Sequence, residues 1–305
     1  MGARHFLSLM DMSGAELRRL VARAIELKRL RAEGAVHAPL RHKTMAMIFE
    51  KSSTRTRVSF EAGMAQLGGA SLFLSPRDTH LGRGEPIEDT ARVMSRMVDV
   101  IVIRANQHAM VERFAQHSRV PVINALTDRF HPCQLLADIQ TYFEQRGDIQ
   151  GRTVAWIGDG NNVCHSWMNA ARQFGFRLRV ATPGGYEPNA GLVRDCGPAV
   201  SLSHDPQAAA GGADVIVTDT WASMGQEGEK AQRLKDFAGF RVDRTMMKLA
   251  APDALFMHCL PAYRGHEVEA EVIDGPQSMV WDEAENRLHA QKALLEFLLG
   301  GTPTP

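Results

Sequence analysis

The sequence has no surplus of charge: 35 Lys and Arg residues stand against 35 Asp and Glu in a chain of 305. Such a balance creates no global field, so it excludes a protein that gathers nucleic acid or an acidic membrane by net charge. Any anion must be held locally. The four cysteines, Cys133, Cys164, Cys196 and Cys259, lie far apart and form no C-x-x-C pair. That argues against a zinc knuckle and against a disulfide framework. No apolar run approaches the ~20 residues of a membrane helix. The opening MGARHFLSLMDMSG is too briefly apolar for a signal peptide, Asp11 interrupts it, and Phe6 stands where a myristoylation signal carries a hydroxyl. The expectation is a soluble, cytoplasmic protein that binds neither nucleic acid nor membrane.

What is present is alternation. Ser13-Gly-Ala-Glu16 is a capping box ahead of Leu17, Leu20, Val21, Ala24 and Leu27 at helical spacing, with Gly34 as the stop. Short apolar runs then alternate with amphipathic helices. TMAMIF (44–49) and SLFLS (71–75) read as strands, VSFEAGMAQLGG and EDTARVMSRMVD (88–99) as helices, and VIVIRA and VPVINAL as further strands. HPCQLLADIQTYFEQRG (131–147) is a long helix leading into a second alternating series. That series holds RTVAWIGDG (152–160), LRVATP, DVIVTDT and ALFMHCL, and EAENRLHAQKALLEFLLG closes the chain as a helix. Strand–helix alternation implies parallel strands with crossover helices. At roughly 150 residues per domain, the length fits two α/β domains, each a mainly parallel sheet flanked by helices, joined near residues 140–151.

In such sheets ligands sit beyond the carboxyl ends of the strands, and the polar residues concentrate there. FEKSSTRTRVSF (49–60) follows a strand and opens a helix, whose free N–H groups attract an anion. Ser53, Thr54 and Thr56 add hydroxyls, and Arg55 and Arg57 add guanidiniums suited to phosphate or carboxylate. Ser53 also reads as an ordinary N-cap with solvated arginines behind it. Arg104 ends a strand, and His131, before Pro132, caps a helix one turn ahead of Gln134. In the second series WIGDGNN tempts a dinucleotide reading but lacks G-x-G-x-x-G. Asp219 and Cys259 stand at further strand ends; the carboxylate suits a substrate amine or a helix cap, and the thiol a nucleophile or an inert buried group.

Taken together, S-T-R-T-R (53–57), H-P-C-Q (131–134), D-x-W-x-S-M-G (219–225) and H-C-L-P (258–261), in that order, resemble the aspartate/ornithine carbamoyltransferase family. The last two motifs look like the branch that acts on ornithine. The resemblance runs from Phe6 to the last helix. It implies a carbamoyl-phosphate domain over 1–147, an ornithine domain over 148–287, and a C-terminal helix and tail (288–305) packing back on the first. It implies that Ser53, Thr54, Arg55 and Thr56 bind the phosphate, and that Arg104, His131 and Gln134 hold the carbamoyl group. His80 matches a position contributed by a neighbouring subunit, and Arg287 an arginine that reaches back to carbamoyl phosphate. Asn162, Asp219, Ser223 and Met224 match ornithine-binding positions, and Cys259 and Leu260 the pair beside the reacting amine. The family assembles as trimers or multiples of trimers.

The activity implied is carbamoyl transfer from carbamoyl phosphate to the δ-amine of L-ornithine, giving L-citrulline and phosphate. Arg104, His131, Asp219 and Cys259 would be the catalytic group, acting by preorganised donors and orientation. The reaction calls for no metal, cofactor or covalent intermediate. Rival readings are transfer to aspartate or an N-acylated ornithine, a nicotinamide dehydrogenase, and a non-catalytic trimer. A basic patch in place of Asp219 would favour aspartate, a glycine fingerprint the dehydrogenase, and lost phosphate-site residues the binding protein.

Overall fold

Each alternating series closes into its own parallel sheet. The computed structural model of the protein describes residues 2–75, 84–222 and 227–300. These fall into two compact units: the described residues up to Gln140 together with those from Glu285 onward, and Thr141–Ala284.

The first unit opens with α1 (Gly14–Ala32), capped by Ser13 and Glu16 reciprocally and followed by Gly34 at φ 71°. Then come β1 (Thr44–Phe49), α2 (Thr54–Gln66), β2 (Ala70–Leu74), α3 (Ile87–Met94), β3 (Val100–Arg104), α4 (His108–His117), β4 (Val122–Leu126) and the start of α5 (Pro132–Arg146). The strands lie parallel in the order β2-β1-β3-β4. β1, β3 and β4 are buried almost throughout and read as near-unbroken apolar runs, whereas β2 at the edge is only partly buried. Ile101 and Ile103 are fully buried in one face with Val111 and Phe114 of α4, each isoleucine contributing about 1.5–3 kcal/mol. The sequence predicts a helix to residue 99, but α3 ends at Met94. The chain must turn there so that Asp99 can accept from the Thr44 N–H at 2.8 Å and meet Lys43, which starts β3 beside β1.

The second unit runs β5 (Thr153–Ile157), α6 (Asn162–Phe174), β6 (Arg177–Ala181), α7 (Ala190–Cys196), β7 (Val200–Ser203), α8 (Pro206–Ala210), β8 (Val215–Thr218), α9 (Lys230–Asp236), α10 (Arg244–Leu249), β9 (Leu255–His258) and α11 (Ala270–Ile273). Its sheet is parallel in the order β7-β6-β5-β8-β9. The last helix, α12 (Val280–Leu298), begins in this unit and continues in the first. No helix among the described residues is long and apolar enough to cross a membrane.

Both strand orders reverse direction once, between β1 and β3 in the first sheet and between β5 and β8 in the second. Loops leaving the two strands at such a point diverge and leave a crevice.

The turn after β5 is packed without slack. A Cβ on Gly160 would stand 2.2 Å from Pro188 N and 2.6 Å from Tyr186 O, backbone that cannot rotate away. Gly160→Ala is expected to lower the unfolding free energy by about 1–3 kcal/mol, read from urea denaturation; an unchanged midpoint would show that the 186–188 loop yields freely.

Candidate active site

In the first unit, register assembles the site. Phe49 pairs with Arg104, so the turn after β1 and the end of β3 share one sheet edge, and Arg104 pairs onward with Leu126 of β4. Glu50 reinforces this: its N–H donates to Arg104 O and its carboxylate accepts from Asn106 N–H. The turn then enters α2, where Ser53 is the N-cap and its hydroxyl accepts from Thr56 N–H at 3.4 Å. The capping reading of Ser53 is therefore realised. Thr54 and Arg55 are exposed, and Thr56 is buried.

Arg57 is differently engaged. Its Nε donates to Glu61 at 3.0 Å and its guanidinium lies 3.9 Å from the Phe73 ring centroid. It braces α2 against β2.

Arg104, His131, Gln134 and Arg287 are 5%, 5%, 1% and 2% exposed. Arg287 comes from α12, yet its Nη1 donates to Gln134 Oε1 at 2.7 Å and its Nη2 to Thr56 Oγ1 at 3.1 Å. Burial, reinforced by the positive charges of Arg287, Arg104 and Arg55, holds the His131 imidazole well below its ordinary pKa. A neutral imidazole among guanidiniums is a donor and acceptor, not a third cation. Cys133, two residues on, is a buried thiol pushed up to about 12 by desolvation and is inert.

In the second unit the strand ends again carry the polar groups. Asp219 follows β8. Its Oδ1 accepts from the Cys259 thiol at 3.2 Å and the Thr220 N–H, and its Oδ2 accepts from Asn161 Nδ2 at 2.8 Å. Asn161 also caps α6, its Oδ1 accepting from the Val163 and Cys164 N–H groups. Asn162, the residue that the family resemblance assigns to ornithine, follows it, and its carbonyl accepts from the Ser166 hydroxyl; Asn161, which the resemblance does not single out, touches Asp219. The only signal for it was its place as the cap.

Cys259 and Leu260 leave β9 on a braced turn. Leu260 has φ 57°, a left-handed conformation that costs a branched residue energy. His258 supports it: its Nδ1 accepts from Leu260 N–H, so the ring proton sits on Nε2, which faces buried Glu267. Glu283, also buried, accepts from the His258 N–H. Asp219, His258 and Cys259 bring three ligand-type atoms within 4.8 Å of one another, but the hydrogen bonds just described already engage them.

In the same unit Arg233 of α9 donates to Asp159 at 3.0 Å, to the Trp221 carbonyl and to Glu229. Burial raises Asp159 to about 6 despite the guanidinium. Ser223 and Met224, and His80 of the first unit, lie outside the described residues.

The two sheets thus each carry their polar groups on loops at the carboxyl edge, one set cationic and rich in donors, the other a carboxylate and thiol. That is the layout of an α/β enzyme that handles a small anion. Residues 4–144 match the carbamoyl-P binding domain, and residues 150–298 the Asp/Orn binding domain, of the aspartate/ornithine carbamoyltransferases; the chain belongs to that family. It is 65% identical to the ornithine carbamoyltransferase of Methylococcus capsulatus over 98% of this chain and 99% of the relative. With that of Nitrosococcus oceani it shares 64% identity over 98% of each. Among solved structures, the ornithine carbamoyltransferase of Pyrococcus furiosus superposes with a TM-score of 0.94 at 50% identity, covering 99% of both chains. That of Burkholderia thailandensis gives 0.91 at 54% identity, over 98% of this chain and 99% of the other. The two-domain parallel α/β fold expected from the sequence is the fold of these structures.

The state of His131 is directly measurable. In an unfolded chain its imidazole takes up a proton near pH 6.5, whereas in the fold that uptake is displaced well downward. The stability it contributes is therefore complete above pH ~6.5 and is lost as pH falls below it. The His131 ring proton resonance, assigned by its loss in His131→Gln, should stay at its neutral position from pH 8 to 5.5. A titration centred near 6.5 would contradict this electrostatic account.

Proposed function

We propose that the chain transfers the carbamoyl group of carbamoyl phosphate to the δ-amine of L-ornithine, releasing L-citrulline and phosphate. The observation that carries this reading is the cradle of the first unit: a helix N-terminus, the Thr56 hydroxyl, and the buried guanidiniums of Arg104 and Arg287. Ser53, Thr54, Arg55 and Thr56 take the phosphate. Arg104, His131, Gln134 and Arg287 take the carbamoyl end, with Cys259, Leu260 and His80 completing the set. Asn162, Asp219, Ser223 and Met224 hold ornithine.

The neutral δ-amine attacks the carbamoyl carbon, negative charge gathers on the carbonyl oxygen, and the bond to the phosphate oxygen breaks with its electron pair. The proton lost by the nitrogen ends on the departing phosphate, so no further reactant is required. Arg104 and neutral His131 stabilise the oxygen as its charge develops, an effect that preorganised donors supply without reorganisation. Asp219 presents a carboxylate to the α-ammonium of ornithine, whereas aspartate, reacting through its α-amine, would bring only carboxylates there, which disfavours it as the acceptor. Cys259, hydrogen-bonded to Asp219, orients the amine and forms no covalent bond to it.

The chain works in the cytoplasm as a homotrimer or a multiple of trimers. Supporting assembly, β2 is an edge strand among the described residues, its Leu72 is half exposed, and Val58 on the adjoining α2 is exposed as well; such an edge invites another chain.

Citrulline formation from carbamoyl phosphate and ornithine, followed colorimetrically, tests the reading; turnover of aspartate or an N-acylornithine at a greater rate would replace it. Arg55→Ala should lower kcat/KM at least about 100-fold if the guanidinium meets the phosphate. A loss below threefold would leave this segment as a helix cap alone.

The shared site is tested by subunit mixing. His80→Ala and Arg104→Ala, each inactive alone, are unfolded and refolded together in equal amounts. In a cyclic trimer a site is intact when its own chain carries the His80 change and its neighbour the Arg104 change, so about a quarter of wild-type activity should return. Hybrid trimers no more active than the parents would place both residues in one chain's site.

A further inference from the structure

Gln134 has an orientation that its own helix dictates. Its Nε2 donates to Asp138 Oδ1 at 2.8 Å, and its Oε1 accepts from Arg287 Nη1 at 2.7 Å. Asp138 lies one turn further along α5, on the same face, and is 1% exposed. A carboxylate only accepts and a guanidinium only donates, so reversing the Gln134 amide would set acceptor against acceptor and donor against donor. The other arm of Arg287 ends on Thr56 Oγ1. A continuous chain of hydrogen bonds therefore runs from Asp138 through Gln134 and Arg287 to the first turn of α2.

We propose that Asp138 is a positioning residue of the carbamoyl-phosphate site: its carboxylate fixes the amide of Gln134 and, through it, the guanidinium of Arg287. The inference rests on the reading of this cradle given above and extends it to a residue that touches no substrate. The choice of a carboxylate at 138 has a reason in this role. A buried charge is expensive, and an amide of the same shape would fill the same space. An asparagine, however, could offer either its oxygen or its NH2 to Gln134. The amide of Gln134 would then be free to turn its own NH2 on Arg287 and displace it. Only the carboxylate forbids that turn.

Asp138→Asn is nearly isosteric, so it tests orientation and not packing. The KM for carbamoyl phosphate should rise about tenfold or more, with the KM for ornithine within twofold of wild type. Gln134→Glu alone sets two carboxylates together and should be at least as damaging. The swap Asp138→Asn with Gln134→Glu reverses the direction of one hydrogen bond and conserves charge. The asparagine NH2 then donates to the glutamate, whose other oxygen accepts from Arg287. The double variant should recover at least tenfold in kcat/KM over the weaker single variant. An unchanged carbamoyl-phosphate KM in Asp138→Asn, or a swap no better than its worse parent, overturns the proposal. So does failure of both the single and the double variant to fold, which would assign Asp138 to the fold. If the wild type forms no citrulline, the reading of the reaction fails instead. The role of Asp138 is then read from inorganic phosphate alone, which should raise the wild-type melting temperature more than that of Asp138→Asn and restore the difference in the swap. Equal shifts in all three would reject it.

Discussion

A buried guanidinium keeps its charge and demands acceptors wherever it sits, and the placing of Arg287 organises much of the first unit. It stands near the end of the chain, on α12, but its acceptors are Gln134 on α5 and Thr56 on α2. To bring it there α12 belongs to the first unit from Glu285 onward, although its first residues and the strand before it belong to the second. Other contacts hold the helix in that place. Arg23 of α1 pairs with buried Glu296 at 2.8 Å, Lys28 donates to Asn286, and Lys292 donates to Gln66 of α2. Ala290, Ala293, Leu294 and Leu295 are buried beside them. Glu296 is itself buried and would lose a charged partner if Arg23 were removed, so the path of α12 is fixed by polar as well as apolar terms.

The same constraint shapes the chemistry. Arg104 and Arg287 are buried in one unit with His131, and a third positive charge there would be opposed by the other two. Burial above all, and then the charges of Arg287 and Arg104, disfavour the protonated ring, so the imidazole stays neutral. The unit is thereby left with fixed cations and a polar neutral ring, an environment in which a dianion is stabilised and a developing oxyanion meets donors already in place. Stability and function draw on the same hydrogen bonds: Thr56 and Gln134 satisfy Arg287 within the fold, and they are also groups proposed to meet the substrate.

Much of this was legible in the sequence, for identifiable reasons. Apolar runs such as TMAMIF and VIVIR announce buried parallel strands, and the capping box at Ser13 and the glycine at 34 mark the limits of α1 within two residues. The polar residues at the strand ends were visible because a parallel sheet places its loops there. Less legible was anything set by register. That Arg104 sits beside Phe49 follows from strand pairing, which no local pattern states. The end of α3 was misjudged because the turn at Ser95 serves the contact of Asp99 with Thr44, across 55 residues of chain. The sequence leaves Arg57 open between an anion and a brace for its loop, and only the structure brings Glu61 and the Phe73 ring to it. Asp138 and Glu267 carry no motif at all; each acts through a neighbour.

The second unit shows how a sheet of dinucleotide-binding type can be turned to another use. The glycine turn after β5 leads into α6 as such a site requires, and the N-terminus of that helix would ordinarily receive a pyrophosphate. Here Asn161 places its own Oδ1 on the Val163 and Cys164 N–H groups. The backbone from Tyr186 to Pro188 lies directly against Gly160, whose N–H donates to the Tyr186 carbonyl. The donors and the space that a dinucleotide would use are both taken by protein. What Asn161 has left, its NH2 group, donates to Asp219. A helix cap thus also supports a carboxylate at the end of β8, and the edge where β5 and β8 diverge carries that carboxylate instead of a free helix N-terminus.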